Sequence, residues 1–177
     1  MTAWNRFRDG MVGPVVILLA ISVIFTVALA GVYQMTEPAI RQGEIDAANE
    51  ARAFVLEGAE SFTEIVAPYP EGVAEVYKAD NGAGYVVRAA GSGYGGPVTF
   101  MIGVGADGDV VGITVFDHNE TPGLGSKIGE EAYLRKYIGS ADPDSVDGIT
   151  GATITSGALK SALRLAGEAY AIAKGVS

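Results

Sequence analysis

Val98-Thr-Phe-Met-Ile-Gly-Val104, the pair Asp107-Gly108, and Val110-Val-Gly-Ile-Thr-Val-Phe116 make up the stretch whose reading decides the fold. Two apolar, β-branched runs on either side of an Asp-Gly turn predict an antiparallel hairpin: the turn pair tolerates the positive φ of a tight loop, and the branched side chains disfavour helix. Upstream, Val73–Tyr77 and Tyr85–Ala89 flank Asn81-Gly82 in the same way, after Pro68-Tyr-Pro70 has broken the chain. Downstream, residues 130–137 read as a short polar helix with Tyr133, Leu134 and Tyr137 on one side. Beyond Thr155 and Ser156, the residues Ala158, Leu159, Ala162, Leu163, Ala166, Ala169, Tyr170 and Ala173 recur at helical spacing and predict an amphipathic helix with a wide small-residue face. This order of elements implies an α+β domain, an antiparallel sheet covered by helices.

The N-terminal part is of another kind. Val15–Val32 carries no charge, and as a helix it is long enough to cross a hydrocarbon core of roughly 30 Å at about 1.5 Å per residue. Ser22 and Thr26 fit such a span, since a helical hydroxyl satisfies itself on a carbonyl one turn back. A cleavable signal peptide and a buried core helix compete for the same residues. The run is longer than a typical signal core, and no other segment is apolar enough to surround it, so a retained transmembrane helix is expected. Arg6 and Arg8 precede the span and an acidic domain follows it, which places the N-terminus in the cytoplasm and the domain outside. Thr36-Glu-Pro38 reads as the exit and cap of the span. Ile40, Ile45, Ala48, Ala51 and Val55 then predict a juxtamembrane helix to about Leu56. The expected division is 1–13 cytoplasmic, 14–34 transmembrane, 35–70 juxtamembrane helix and linker, and 71–177 extracytoplasmic domain.

Composition narrows the chemistry. A formal charge of -9 over 177 residues, with no basic patch, disfavours nucleic acid as a partner. With no cysteine and one histidine the chain lacks thiolate nucleophiles, cysteine-held clusters and a histidine-rich metal centre. Demanding chemistry here requires an organic cofactor. A lone helix without charge in its centre offers no ion path, so Ala20, Ala28, Ala30 and Gly31 are read as packing positions against neighbouring spans or as a plain tether.

Three segments invite a ligand reading beside a bland one. Gly91-Ser-Gly-Tyr-Gly-Gly-Pro97 is too glycine-rich for a strand interior and reads as a flexible turn or a cofactor-facing loop. His118, Glu120 and Thr121-Pro-Gly-Leu-Gly125 follow an apolar strand and read as structural hydrogen bonding and a turn, or as a cofactor wall. Thr150-Gly-Ala-Thr153 lies just before the last helix, with Thr155 or Ser156 as expected N-cap. It is either a capping sequence or a place where a phosphate meets backbone N–H donors and the positive helix end.

Taken together and in this order, Ser92-Gly-Tyr-Gly-Gly-Pro97, the strand pair around Asp107-Gly108, His118-x-Glu-Thr-Pro-Gly-Leu-Gly125 and Asp147-x-x-Thr-Gly-Ala-Thr153 resemble the FMN-binding domain family. That family includes the G subunit of Rnf electron-transport complexes and the C subunit of the sodium-translocating NADH:quinone reductase. The resemblance spans roughly residues 75–160. It implies FMN esterified through its phosphate to Thr153, put there by a flavin transferase that uses FAD. Asp147 then belongs to the sequence the transferase recognises, Thr150 is a further cofactor-site residue of the same motif, and Gly151 and Ala152 keep the approach open.

The same resemblance implies that Gly95, Gly96 and the loop through Gly125 come close to the flavin, with Leu124 giving apolar contact and Thr121 a hydroxyl. His118 and Glu120 are read as ordering the loop, and Lys127 as either balancing phosphate or reduced-flavin charge or facing solvent. The implied role is an electron-transfer subunit without activity of its own, held in the cytoplasmic membrane beside other redox subunits of a ferredoxin- and NAD-linked translocase. The quinone-reductase type, a flavin domain of another reductase or regulatory system, and a module without flavin are the alternatives.

Overall fold

A computed structural model of the chain describes residues 12–140 and 142–176. Arg6 and Arg8, which carry the orientation argument, lie outside the described residues. The chain forms two compact units, Met1–Asp46 and Ala47–Ser177.

Helix α1, Val12–Val55, supplies nearly all that is described of the first unit. It is long and apolar enough to cross a membrane, and none of its most apolar stretch is buried by the protein. Leu18, Ile24 and Leu29 are each about two-thirds exposed. The Thr26 hydroxyl donates to the Ser22 carbonyl at 2.8 Å, as the spacing requires. The expected exit at Thr36–Pro38 is not a helix end: α1 runs through Pro38. Proline removes one amide from the ladder and leaves a carbonyl one turn back without its partner, a loss an exposed helix side can make good with water. The Thr36 hydroxyl bonds back to the carbonyls of Val32 and Tyr33, and the ion pair Glu37–Arg41 bridges the same turn at 2.6 Å.

The second unit is built on a five-stranded antiparallel meander in the order β1–β5: Phe62–Glu64, Val73–Ala79, Gly84–Ser92, Pro97–Gly105 and Val110–Asp117. Both expected hairpins are present, turning at Gly82 and Gly108 with φ of 77° and 99°. β1 has no counterpart in the sequence reading, since three residues are too few to show alternation. A four-residue helix α2, Glu131–Leu134, continues as a 3-10 turn through Tyr137, and helix α3, Thr153–Val176, closes the chain.

β3 and β4 are covered on both faces, so their sequences read as nearly continuous apolar runs rather than alternating ones. On one face Val87, Ala89, Phe100 and Ile102 pack against Ala158, Leu159, Ala162, Leu163 and Ala166 of α3. Small alanines let the α3 backbone come close to the sheet. Gly91 shows how close: a Cβ there would lie 2.1 Å from the Ala158 carbonyl oxygen. Gly91 and Ser92 therefore do belong to a strand, paired with Val98 and Pro97, against the sequence expectation. The entropic penalty of glycine in a strand is accepted because no side chain fits under the helix.

The other face carries Ala79, Val86 and Met101 beneath Ala48, Val55, Leu56 and Ala59. Here the cross-strand partners Gly103 and Gly112 leave room for the Val55 carbonyl, which would lie 2.0 and 2.3 Å from Cβ atoms at those positions. Beside this contact Glu75 takes Arg52 on one carboxylate oxygen and Arg88 on the other, each at 3.1 Å. The two guanidinium groups lie over the rings of Tyr77 and Phe116, at 3.8 and 4.2 Å. The Nε atoms of both arginines are buried without a hydrogen-bond acceptor among the described residues.

Candidate functional site

Three connections converge at one end of the sheet: the β3–β4 loop around Gly93–Gly96, the segment after β5 from His118 to Gly125, and the approach to α3 from Asp147 to Ala152. Between them lies a cleft of about 540 Å³ lined by Tyr94, Glu120, Thr121, Leu124, Gly125 and Gly151 through Thr155. That volume lies within the usual range for cofactor sites.

Glu120 is the centre of this arrangement. It is only 6% exposed, and its carboxylate accepts from the Gly95 amide at 3.0 Å on Oε1 and from the Thr155 hydroxyl at 2.8 Å on Oε2. Burial pushes the Glu120 carboxyl up. The hydrogen bonds from Gly95, Thr155 and the Tyr94 amide, with the nearby His118, outweigh that push and hold it below its ordinary value. The amide of Glu120 also lies 3.2 Å from Nδ1 of His118.

The glycines around this carboxylate leave room for other protein atoms. A Cβ on Gly93 would lie 2.3 Å from Oε1 of Glu120, one on Gly125 2.3 Å from Oε2, and one on Gly95 2.1 Å from the Asn119 carbonyl. Close approach is thus required, but of protein to protein. Gly96 has φ of 129° and open space around it, so its freedom serves the turn.

The segment before α3 is also pinned. The Ser156 hydroxyl accepts from the Ile149 amide at 2.8 Å and donates to the Ala152 carbonyl at 3.0 Å, while Gly151 turns the chain at φ of 81°. Thr155 and Ser156 are consequently not the N-cap. α3 starts at Thr153, and the two buried hydroxyls lie inside its first turn, one bonded to Glu120 and the other to the preceding segment. Among the described residues, no hydrogen bond satisfies the amides of Thr153, Ile154 or Thr155. Those orphan donors and the helix dipole make this end of the cleft receptive to an anion. Thr153 itself is exposed on the cleft wall.

Of the residues singled out in the sequence, Glu120, Thr121, Leu124, Gly125, Gly151, Ala152, Thr153 and Thr155 line the cleft. Gly95 and Ser156 lie behind its wall through the bonds above, and His118 stands behind Glu120, against its amide. Asp147, Thr150 and Lys127 are exposed and are not among the lining residues. Lys127 projects from a 3-10 turn over Gly125–Gly129. Tyr94 and Ile154 were not singled out, yet both line the cleft, with 75% and 56% of their surface exposed. A tyrosine inside a glycine-rich loop was the available signal for the first. Ile154 offered none, being one apolar residue next to a helix start.

Comparisons with known proteins agree with this geometry. The FMN-binding domain matches residues 93–168, which takes in all three converging segments. The chain is 33% identical to the G subunit of the Na(+)-translocating ferredoxin:NAD(+) oxidoreductase complex of Acetobacterium woodii, over 87% of this chain and 88% of that one. It is 28% identical to the G subunit of the proton-translocating ferredoxin:NAD(+) oxidoreductase complex of Clostridium ljungdahlii, over 80% and 82%. In fold it is similar to the crystal structure of the C subunit of the Na(+)-translocating NADH-quinone reductase from Parabacteroides distasonis, with a TM-score of 0.52 and 20% identity over 73% of this chain and 94% of that one. The chain therefore belongs to the FMN-binding domain family, within the group related to the G and C subunits of these ion-translocating oxidoreductases.

Proposed function

We propose that this chain is the FMN-carrying electron-transfer subunit of an Rnf-type membrane complex, with the flavin held covalently through its phosphate on Thr153. The observation that carries this reading is the position of Thr153: a hydroxyl residue on the wall of a 540 Å³ cleft, at the first position of a long helix whose opening amides lack partners. A phosphate on Thr153 Oγ1 is placed where those donors and the helix dipole favour its charge. Tyr94, Leu124 and Ile154 supply exposed apolar surface for the isoalloxazine, and Thr121 a hydroxyl at the cleft. When bound, FMN supplies one-electron transfer, which none of the chain's own side chains offers.

Attachment belongs to a flavin transferase: the bond from Thr153 Oγ1 to phosphorus forms as the pyrophosphate of FAD breaks and AMP leaves. Asp147 and Thr150, exposed on the approach to α3, are open to such an enzyme. Residues 14–34 form the single span in the cytoplasmic membrane, with 1–13 cytoplasmic and 71–177 the extracytoplasmic domain. The span contributes assembly with the other redox and membrane subunits, because it carries no polar path for an ion.

The test is intact-mass spectrometry after denaturation of the full-length protein co-expressed with a flavin transferase. A gain of one FMN less one water in the wild type, absent in Thr153→Ala, is the expected result. No gain in the wild type beside a transferase shown to be active on another substrate refutes the Thr153 assignment.

A further inference from the structure

We propose that Glu120 is a positioning residue: its buried carboxylate ties the β3–β4 loop and the first turn of α3 into one cleft and holds a fixed negative charge at the cleft wall. The proposal rests on the reading of Thr153 as the flavin acceptor and goes beyond it.

The geometry of the tie is explicit. Three segments distant in sequence meet at one side chain: Gly95 bonds to Oε1, Thr155 bonds to Oε2 across 35 residues, and Glu120 itself belongs to the segment after β5. Gly93 and Gly125 lie so close to the two oxygens that any side chain there would overlap them. Four positions are thereby given over to housing one carboxylate. Packing alone does not call for this, since an apolar side chain of similar volume avoids the desolvation penalty of a buried charge.

What the charge adds is directional. Each Glu120 oxygen has a donor from a different wall, so the distance between the walls is set by two hydrogen bonds rather than by nonspecific apolar contact. Thr155 lies two residues after Thr153 in the same helical turn, so holding Thr155 also holds the acceptor hydroxyl. Because Glu120 lines the cleft, its charge faces whatever occupies that space. It disfavours additional negative charge there and so opposes reduction of a bound flavin.

The experiment uses the full-length protein in detergent, with limiting flavin transferase, and follows two readouts in wild type, Glu120→Gln and Thr155→Val. These are the rate of mass gain and the midpoint potential of the loaded protein. Glu120→Gln preserves size and removes the charge. It is expected to load more slowly, by about tenfold, the size of effect that follows loss of a hydrogen bond to a charged group, and to show a higher midpoint potential. Thr155→Val keeps the charge and cuts the tie, and is expected to slow loading while leaving the potential near that of the wild type. A structural role alone moves stability and loading but not the potential.

Wild-type loading rate and potential in a folded Glu120→Gln protein overturn the proposal and leave the Thr153 reading standing. If Glu120→Gln does not fold, Thr155→Val decides: unchanged loading overturns the tie. A wild type that takes up no flavin refutes the Thr153 reading, and this proposal with it.

Discussion

Replacing Gly91 by alanine adds a single carbon where the α3 backbone leaves no room. The new Cβ would lie 2.1 Å from the carbonyl oxygen of Ala158, 2.6 Å from its carbonyl carbon and 2.7 Å from its Cα. All three are backbone atoms, so no rotamer change relieves the overlap. Restoring an ordinary contact of about 3.5 Å between carbon and its neighbour requires α3 to retreat by more than about 1 Å. Its inner face, with Ala158, Leu159 and Ala162 almost fully buried, then loses contact with Ala89, Phe100 and Ile102.

Overpacking of this kind costs roughly 1–3 kcal/mol, and the backbone location puts Gly91→Ala at the upper end, about 3 kcal/mol. For a domain whose whole stability is on the order of 5–15 kcal/mol, that is a large loss. The assay is thermal and denaturant unfolding of the full-length protein in detergent, monitored by circular dichroism. At a few degrees per kcal/mol, a drop in Tm on the order of 10 °C is expected. Gly157→Ala, made at the residue just before Ala158 in the same helix with nothing within 4 Å of the added carbon, is the control. It is expected to stabilise by about 0.5–1 kcal/mol, because alanine loses less backbone freedom in a helix. A Gly91→Ala protein as stable as the wild type, or one that shifts in the same direction as Gly157→Ala, refutes the packing argument.

Two further outcomes can be checked on the same preparation, beside the Thr153 and Glu120 variants above. The hydroxyls of Tyr133 and Tyr137 lie 2.8 Å apart in the core, and burial, followed by the Tyr133 hydrogen bond, pushes the Tyr137 hydroxyl upward in pKa. Tyr137→Phe leaves Tyr133 without this partner and is expected to cost about 0.5–1.5 kcal/mol in denaturant unfolding; no loss would mean that water already serves the pair. Asp144 is held below its ordinary value of 3.8 chiefly by the hydrogen bond from Arg164. Its contribution to stability is therefore fully present above about pH 4 and is lost as pH falls through the lowered folded-state value. Asp144→Asn should flatten that part of the Tm–pH curve, and parallel curves for variant and wild type would refute the assignment.

The two glycine-turn hairpins, the apolar N-terminal helix and the amphipathic last helix were all legible in the residues, because periodicity and turn chemistry act over neighbouring positions. The nearness of Thr150–Thr153 to the last helix was legible for the same reason, since small residues and the onset of helical periodicity lie within one short segment. The assignments that went astray share the opposite property. Pro38 looked like a helix end and is an interior residue, because exposed carbonyls and a flanking ion pair make its lost bond tolerable. Thr155 and Ser156 looked like caps and are buried first-turn hydroxyls, engaged by Glu120 and by the segment before the helix.

The residues alone specify an antiparallel sheet with helical cover, a helix apolar enough to span a bilayer, and a small-residue segment ending in Thr153 close to the last helix. Why the glycines are where they are emerges from contacts across the fold. Gly91 admits the α3 backbone, Gly103 and Gly112 admit the Val55 carbonyl, and Gly93 and Gly125 make room for the Glu120 carboxylate. Folding also brings Tyr94 and Ile154 to the same cleft as Thr153. One cause is common to all of them: a glycine in sequence records only freedom of the backbone, whereas the atom that needs the space arrives from a segment far along the chain.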